Sequence, residues 1–194
     1  MMKPMRLCLP AYLCAALLTA GESIPAQPKN FVIDPAQTQV EFNVGSTLHT
    51  VHGTFHLKHG DLRFDPATGK AAGELVVDAA SGDSGSKARD HRMNSAVLES
   101  ERFPEIVFRP DRVDGKVAGE GRSEVQLHGT FAIHGADHEM LVPMVVEAHD
   151  GVYNATAIFA VPYIKWGMKN PSTLMLRVAD KVEITVHTQA HPGT

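Results

Sequence analysis

Along most of the chain, apolar and polar positions alternate. Val40, Phe42 and Val44 are interleaved with Gln39, Glu41 and Asn43, and Val51, Gly53, Phe55 and Leu57 with His52, Thr54, His56 and Lys58. Val125, Leu127, Gly129, Phe131 and Ile133 form the cleanest run, set against Glu124, Gln126, His128, Thr130 and His134. Near the end, Val182, Ile184 and Val186 alternate with Lys181, Glu183, Thr185 and His187. A period of two with one apolar face predicts antiparallel strands that keep one side in water. Turn-forming residues separate the runs at 65–69 (Asp-Pro-Ala-Thr-Gly), Asp114-Gly115 and Asp150-Gly151. Many short strands with such punctuation predict an all-β sandwich or barrel.

Three segments depart from this pattern. Met140 to Val146, apart from Pro143, and Ala155 to Val161 are apolar on both faces, so each needs cover on both sides. Pro143 has no N–H to give a ladder and belongs at an edge or a bulge. Between Ser84 and Ser100, Met93, Ala96, Val97 and Ser100 recur at helical spacing among Lys87, Arg89, Asp90, Arg92 and Glu99. This predicts a short helix, ended by Phe103-Pro104, that covers the two doubly apolar strands. No repeat, linker or second domain interrupts residues 27–194.

The N-terminus has a different character. Lys3 and Arg6 precede an apolar stretch from Leu7 to Ala20, with no acidic residue before Glu22. The run is too short, and too interrupted by Pro10, for stable membrane insertion as a span of about 20 apolar residues. It matches a secretory signal peptide over residues 1–26, with cleavage after Ala20 or Ala26, and predicts a periplasmic or secreted protein. Both cysteines, Cys8 and Cys14, lie inside it, which excludes a disulfide framework or a multi-cysteine metal centre in the exported chain. With 18 basic against 22 acidic residues and no basic run, the chain lacks the electrostatic footprint of a nucleic-acid binder.

Motifs suggestive of catalysis do not hold together. Gly82-Asp83-Ser84-Gly85-Ser86 imitates a serine-protease nucleophile loop without a matching histidine motif upstream. His138-Glu139 opens like a zincin helix, but Val142 stands where the second histidine belongs. Asp90 and His91 are adjacent on a predicted helix and point apart. No enzyme and no cofactor is expected. Among the eleven histidines, His52 and His56 share a strand face, but it is the polar one. They are read as surface residues; a metal- or haem-responsive protein using such histidine-rich faces is the alternative.

The interior remains. Phe31, Phe42, Phe55, Phe64, Phe108, Phe131 and Phe159 all fall in strand-like segments. A filled core and a hollow barrel holding one ligand both fit that pattern. Residues 161–168 (Val-Pro-Tyr-Ile-Lys-Trp-Gly-Met) place amphipathic aromatics together, as a pocket mouth or a packing plug would.

Four ordered blocks resemble the YceI-like family of lipid- and polyisoprenoid-binding proteins. They are Ile33-Asp34-Pro35 with Val40-Glu41-Phe42 and Val51-His52-Gly53-Thr54-Phe55; Arg89 to Ser95 continuing through Leu98 to Phe103-Pro104-Glu105-Ile106-Val107-Phe108; Leu127 to Gly135; and Val182-Glu183-Ile184. The resemblance implies an extended antiparallel, lipocalin-like barrel of about eight strands, with one or two short helices at a side or mouth. It also implies an apolar tunnel for a long-chain amphipathic lipid: a polyisoprenoid, an isoprenoid quinone or a fatty-acyl derivative. Phe42, Phe55, Met93, Leu98, Phe103, Phe108, Phe131, Phe159, Tyr163 and Trp166 are the expected lining. Leu98 stands where the family often has phenylalanine, and Tyr163 and Trp166 replace a family arginine and phenylalanine. Arg89 and Lys165 are therefore the candidate headgroup contacts. Transport, storage or sequestration would be the role, with the lipid as partner and a homodimer left open.

Overall fold

The computed structural model describes residues 28–193, so the expected signal peptide lies outside the described residues. Ten strand segments make one antiparallel sheet: β1 (Lys29–Ile33), β2 (Gln39–Gly45), β3 (Thr50–Phe55), β4 (Leu57–Phe64), β5 (Ala71–Asp78), β6 (Glu105–Asp114), β7 (Gly121–Ile133), β8 (Ala136–His149), β9 (Val152–Val161) and β10 (Val182–Pro192). Two pairs of segments are single strands with a break. Between β1 and β2 the chain takes a 3-10 turn over Pro35–Gln37, where the Asp34 carboxylate accepts the Ala36 N–H at 2.8 Å. Between β3 and β4 the break falls at His56, whose N–H is diverted to the Ser81 hydroxyl at 2.8 Å. Counted this way, eight strands close into a barrel. Closure comes from β10, which pairs with β2 through Ile184↔Phe42 and with β1 through Ala190↔Ile33.

The alternating sequence sets the wall. In β7, Ser123, Val125, Leu127, Phe131 and Ile133 are buried while Glu124 and Gln126 face water. Gly129 completes the inward row because a Cβ there would collide with the Phe108 ring and the Arg109 carbonyl of β6. Two-residue hairpins join β7 to β8 and β8 to β9. His134-Gly135 has φ values of 54° and 76°, and Asp150-Gly151 of 50° and 78°. Positive φ at both central residues matches the twist of paired strands. His134 is thus a turn residue and not part of the strand face that the alternation assigned to it.

The helical segment is shorter than expected and sits elsewhere. It comprises α1 (Lys87–Arg92) and a π turn over Met93–Val97, and Glu99 at φ 48° ends it before Phe103-Pro104 is reached. Its buried residues Val97 and Leu98 pack with Phe42, Phe55, Phe131 and Ile133. The segment leading into it flanks β3, where Thr54 and Asp83 exchange backbone hydrogen bonds at 2.9 and 3.0 Å. The helix therefore fills the wall between β3 and β5 rather than covering β8 and β9. Outside those two strands, Leu141 and Ile158 stay exposed.

Pro143 explains the difference. It pairs with Gln126 of β7, whereas pairing of β8 with β9 begins only at Met144↔Ala157. Above that point the two strands separate, and the proline's missing donor falls on the unpaired side. The turn after β9 fills the opening: Trp166 stacks on His138 of β8 at a centroid distance of 4.0 Å and an interplanar angle of 4°. The doubly apolar strands are thus strands at a seam.

Candidate ligand-binding cavity

The inward rows do not meet across the barrel. They enclose a cavity of about 640 Å³, within the range of small-molecule sites. Along β10, alternate residues Val182, Ile184, Val186, Thr188 and Ala190 all line it. At roughly 3.3 Å per residue, that row alone is about 26 Å long. The cavity is thus elongated, and it joins two apolar clusters, one around Phe31, Phe64 and Tyr153 and the other around Phe42, Phe55 and Phe131.

The ends differ in chemistry. At the far end, Phe31 meets Tyr153 edge to face at 5.0 Å, and the Tyr153 hydroxyl accepts a hydrogen bond from Lys29 Nζ at 3.1 Å. At the other end the lining turns polar, with Ser46, His49, Ser84, Ser86, Arg89 and Arg92. Here the Asp90 carboxylate accepts both the N–H and the hydroxyl of Ser84. Arg89 in turn donates from Nε to the Ser84 hydroxyl and from Nη2 to the Ser84 carbonyl, each at 2.8 Å. That network fixes a guanidinium at the rim, with donors left for an anionic or polar group.

Of the ten lining residues expected from sequence, eight stand on the cavity wall: Phe42, Phe55, Met93, Leu98, Phe108, Phe131, Phe159 and Tyr163. Phe103 is not on the wall. Its ring packs beneath Gly135, where a Cβ would collide with it, and lies 4.7 Å from His134. Trp166 also stands off the wall, at the seam, with its ring 5.8 Å from that of Phe131. Of the candidate headgroup contacts, Arg89 lines the rim and Lys165 is exposed away from the lining. Tyr163 donates to the Ala179 carbonyl at 2.7 Å, and burial, then the Asp180 charge, pushes its phenol above the usual range. It therefore remains a neutral wall residue across ordinary pH.

Several wall residues escaped the sequence reading of the site. Tyr153 and Val146 at the far end and Leu176 and Val178 after the seam line the cavity as well. Tyr153 alternates with Asn154 and was legible from that pattern, whereas Val146 ends a run apolar on both faces, which leaves its direction open. Leu176 and Val178 lie in an irregular segment whose position depends on bonds to a distant loop. His52 and His56 both lie on the outer surface, and His52 shares a hydrogen bond with Asn43. Among the described residues, the side chains within joint reach of one metal ion are Glu120, His149 and Asp150, all exposed, with neither His52 nor His56 among them. No helix of the described residues is long and apolar enough to cross a membrane.

Solved structures share this architecture. Burkholderia cenocepacia BcnA superposes with a TM-score of 0.67 at 19% identity, covering 81% of this chain and 98% of its own. A polyisoprenoid binding domain from Saccharophagus degradans, implicated in plant cell wall breakdown, gives 0.65 at 13% identity, covering 84% and 98%. The Campylobacter jejuni YceI protein gives 0.56 at 14% identity, covering 70% and 81%. No curated protein matches significantly in sequence. The sequence profile of the YceI-like domain matches residues 31–190, which takes in all of the barrel but its outermost residues. The chain belongs to the YceI-like domain family.

Proposed function

We propose that the protein is an exported, non-enzymatic carrier that holds the tail of a long-chain amphipathic lipid, such as a polyisoprenoid, an isoprenoid quinone or a fatty-acyl derivative. One observation carries the reading: an elongated, nearly all-apolar cavity of about 640 Å³ with charged and hydroxyl groups gathered at one end. Such a shape suits a ligand that is apolar along its length and polar at its head. Burial of the tail supplies affinity at about 0.8 kcal/mol per methylene, so sixteen methylenes give on the order of 13 kcal/mol before the costs of association. The rim guanidinium of Arg89 orients the head. The polyisoprenoid-binding description of the Saccharophagus degradans domain supports the same ligand class. Export to the periplasm or beyond agrees with the N-terminal residues, and transport, storage or sequestration are the roles open to a carrier.

A displacement titration tests this. A fluorescent acyl probe should bind with a stoichiometry of one and be displaced by polyprenyl or acyl lipids. Short-chain analogues should compete progressively less well as methylenes are removed. Absence of saturable probe binding by delipidated protein contradicts the reading.

A further inference from the structure

Two turns beside the cavity mouth carry residues that turns ordinarily avoid. The first spans Ser46 to His49 and closes through the Ser46 N–H to the His49 carbonyl at 3.1 Å. The second spans Thr173 to Leu176 and closes through the Thr173 N–H to the Leu176 carbonyl at 2.8 Å. Exposed turn apices favour Gly, Asn, Asp, Pro and Ser. Here the apices present Leu48 in the first turn and Leu174 with Met175 in the second, exposed by 77%, 102% and 92% respectively.

The two turns are bound to each other and to the cavity. The Thr47 N–H donates to the Arg177 carbonyl at 3.0 Å, and Ser46 bridges Val178. The residues flanking each apex, Ser46 and His49, Thr173 and Leu176, themselves line the cavity. A lipid tail leaving through the mouth therefore meets the three apolar tips next. Charge follows the same geography. Lys87, Arg89, Arg92 and Arg177 are exposed around the mouth. The acidic residues of these segments are Asp83, which accepts the Gly85 N–H, Asp90, which accepts from Ser84, and the exposed Asp180 just past Val178, so the four cations remain in excess.

We infer that this rim docks on the surface of a bilayer containing anionic phospholipid, with Leu48, Leu174 and Met175 inserted among the acyl chains and the four cations against the headgroups. The inference rests on the carrier reading and gives it a route by which a tail passes between membrane and cavity without crossing water. A tip of three side chains beside basic residues suits shallow interfacial insertion. It falls well short of the roughly 800 Å² per partner that a stable protein–protein interface buries.

Co-sedimentation of the exported protein with vesicles of phosphatidylcholine, with and without a minority of phosphatidylglycerol, tests the inference. Binding should need phosphatidylglycerol and weaken as salt rises. Arg177→Gln should weaken it about fivefold, as expected for one cation near an anionic surface. The triple variant Leu48→Gln, Leu174→Gln, Met175→Gln should lose roughly tenfold or more while keeping its melting temperature, since all three residues are largely exposed. A control variant, Leu141→Gln with Ile158→Gln on the barrel wall, should bind like the parent. Failure of the parent to bind vesicles, equal binding by the triple variant, or equal loss in the control overturns the inference. So does a parent dimer that the triple variant dissolves in the absence of vesicle binding, which assigns the tips to a second copy. Probe binding in the cavity is measured on the same samples. A filled cavity without vesicle binding removes the docking inference alone, and rim-dependent vesicle binding without probe uptake removes the carrier reading alone.

Discussion

Replacing Ala157 by phenylalanine separates a hollow barrel from a filled one by the sign of a stability change. Ala157 is 8% exposed, lies in β9 between Met144 of β8 and Val186 of β10, and lines the cavity. Its methyl group points inward, so a benzyl side chain at this position must occupy the lumen. In a close-packed core, such an insertion forces neighbours off their rotamers and costs about 1–3 kcal/mol. In a cavity of about 640 Å³ the ring takes up open space, and burial of a phenylalanine side chain contributes about 1.5–3 kcal/mol in favour of the fold. Urea unfolding of delipidated protein should therefore show Ala157→Phe unchanged or stabilised. The ring also removes room for the tail. Displacing three methylenes at about 0.8 kcal/mol each costs about 2.4 kcal/mol, roughly fiftyfold in affinity for an acyl probe. Destabilisation by more than about 2 kcal/mol with unchanged probe affinity would mean that the lumen is packed and the probe bound elsewhere.

Further consequences concern the wall and the surface. Phe103→Ala should lower stability by about 2–3 kcal/mol in urea unfolding and leave probe affinity unchanged, since the ring packs under the β7–β8 turn and not on the cavity. Trp166→Ala removes the stack on His138 and should cost about 2 kcal/mol by the same measurement. It should also speed hydrogen exchange in β8 before Pro143, where no β9 strand is paired. Asp65, Glu105 and Asp114 have carboxyls held below the usual range, first by hydrogen bonds from Thr68, Lys58 and Arg112 respectively. Depressed folded-state values mean that their stabilisation is complete above the unfolded carboxylate range. It is lost as pH falls below about 4 through the folded values. The urea midpoint should drop over that window, and Asp114→Asn should make the drop shallower.

How much of this was legible in the sequence depended on the range of the signal. Strand faces repeat every second residue, so Phe42, Phe55 and Phe131 could be placed on apolar strand faces by local pattern, whereas Phe108 and Phe159 were expected on the lining only through the family resemblance. Phe103 shares their composition but lies in the turn after the helix, where no period fixes its direction. His134 continued the alternation of β7 yet sits at φ 54°, because the hairpin geometry of His134-Gly135 overrides the polar-face assignment. The apolar faces of β8 and β9 were visible, but their cover was not. Pro143 signalled an edge, and only the fold shows that the edge is an internal seam sealed by Trp166 from the following turn. Whether the inward side chains fill the barrel is a matter of its diameter. Diameter follows from strand number and stagger, which no alternation pattern encodes. The mouth was hardest to foresee, because Thr47 and Arg177 are 130 residues apart in sequence and meet through hydrogen bonds between irregular loops.

Native mass spectrometry of the protein recovered from its own cells reads the occupancy of the cavity without any added probe. A barrel that holds a lipid tail predicts a mass exceeding that of the polypeptide by one lipid, released on denaturation as a molecule with a long apolar tail. It also predicts that Ala157→Phe reduces the occupied fraction. A clean polypeptide mass under gentle ionisation, from protein whose delipidated form takes up no acyl or prenyl chain, would contradict it.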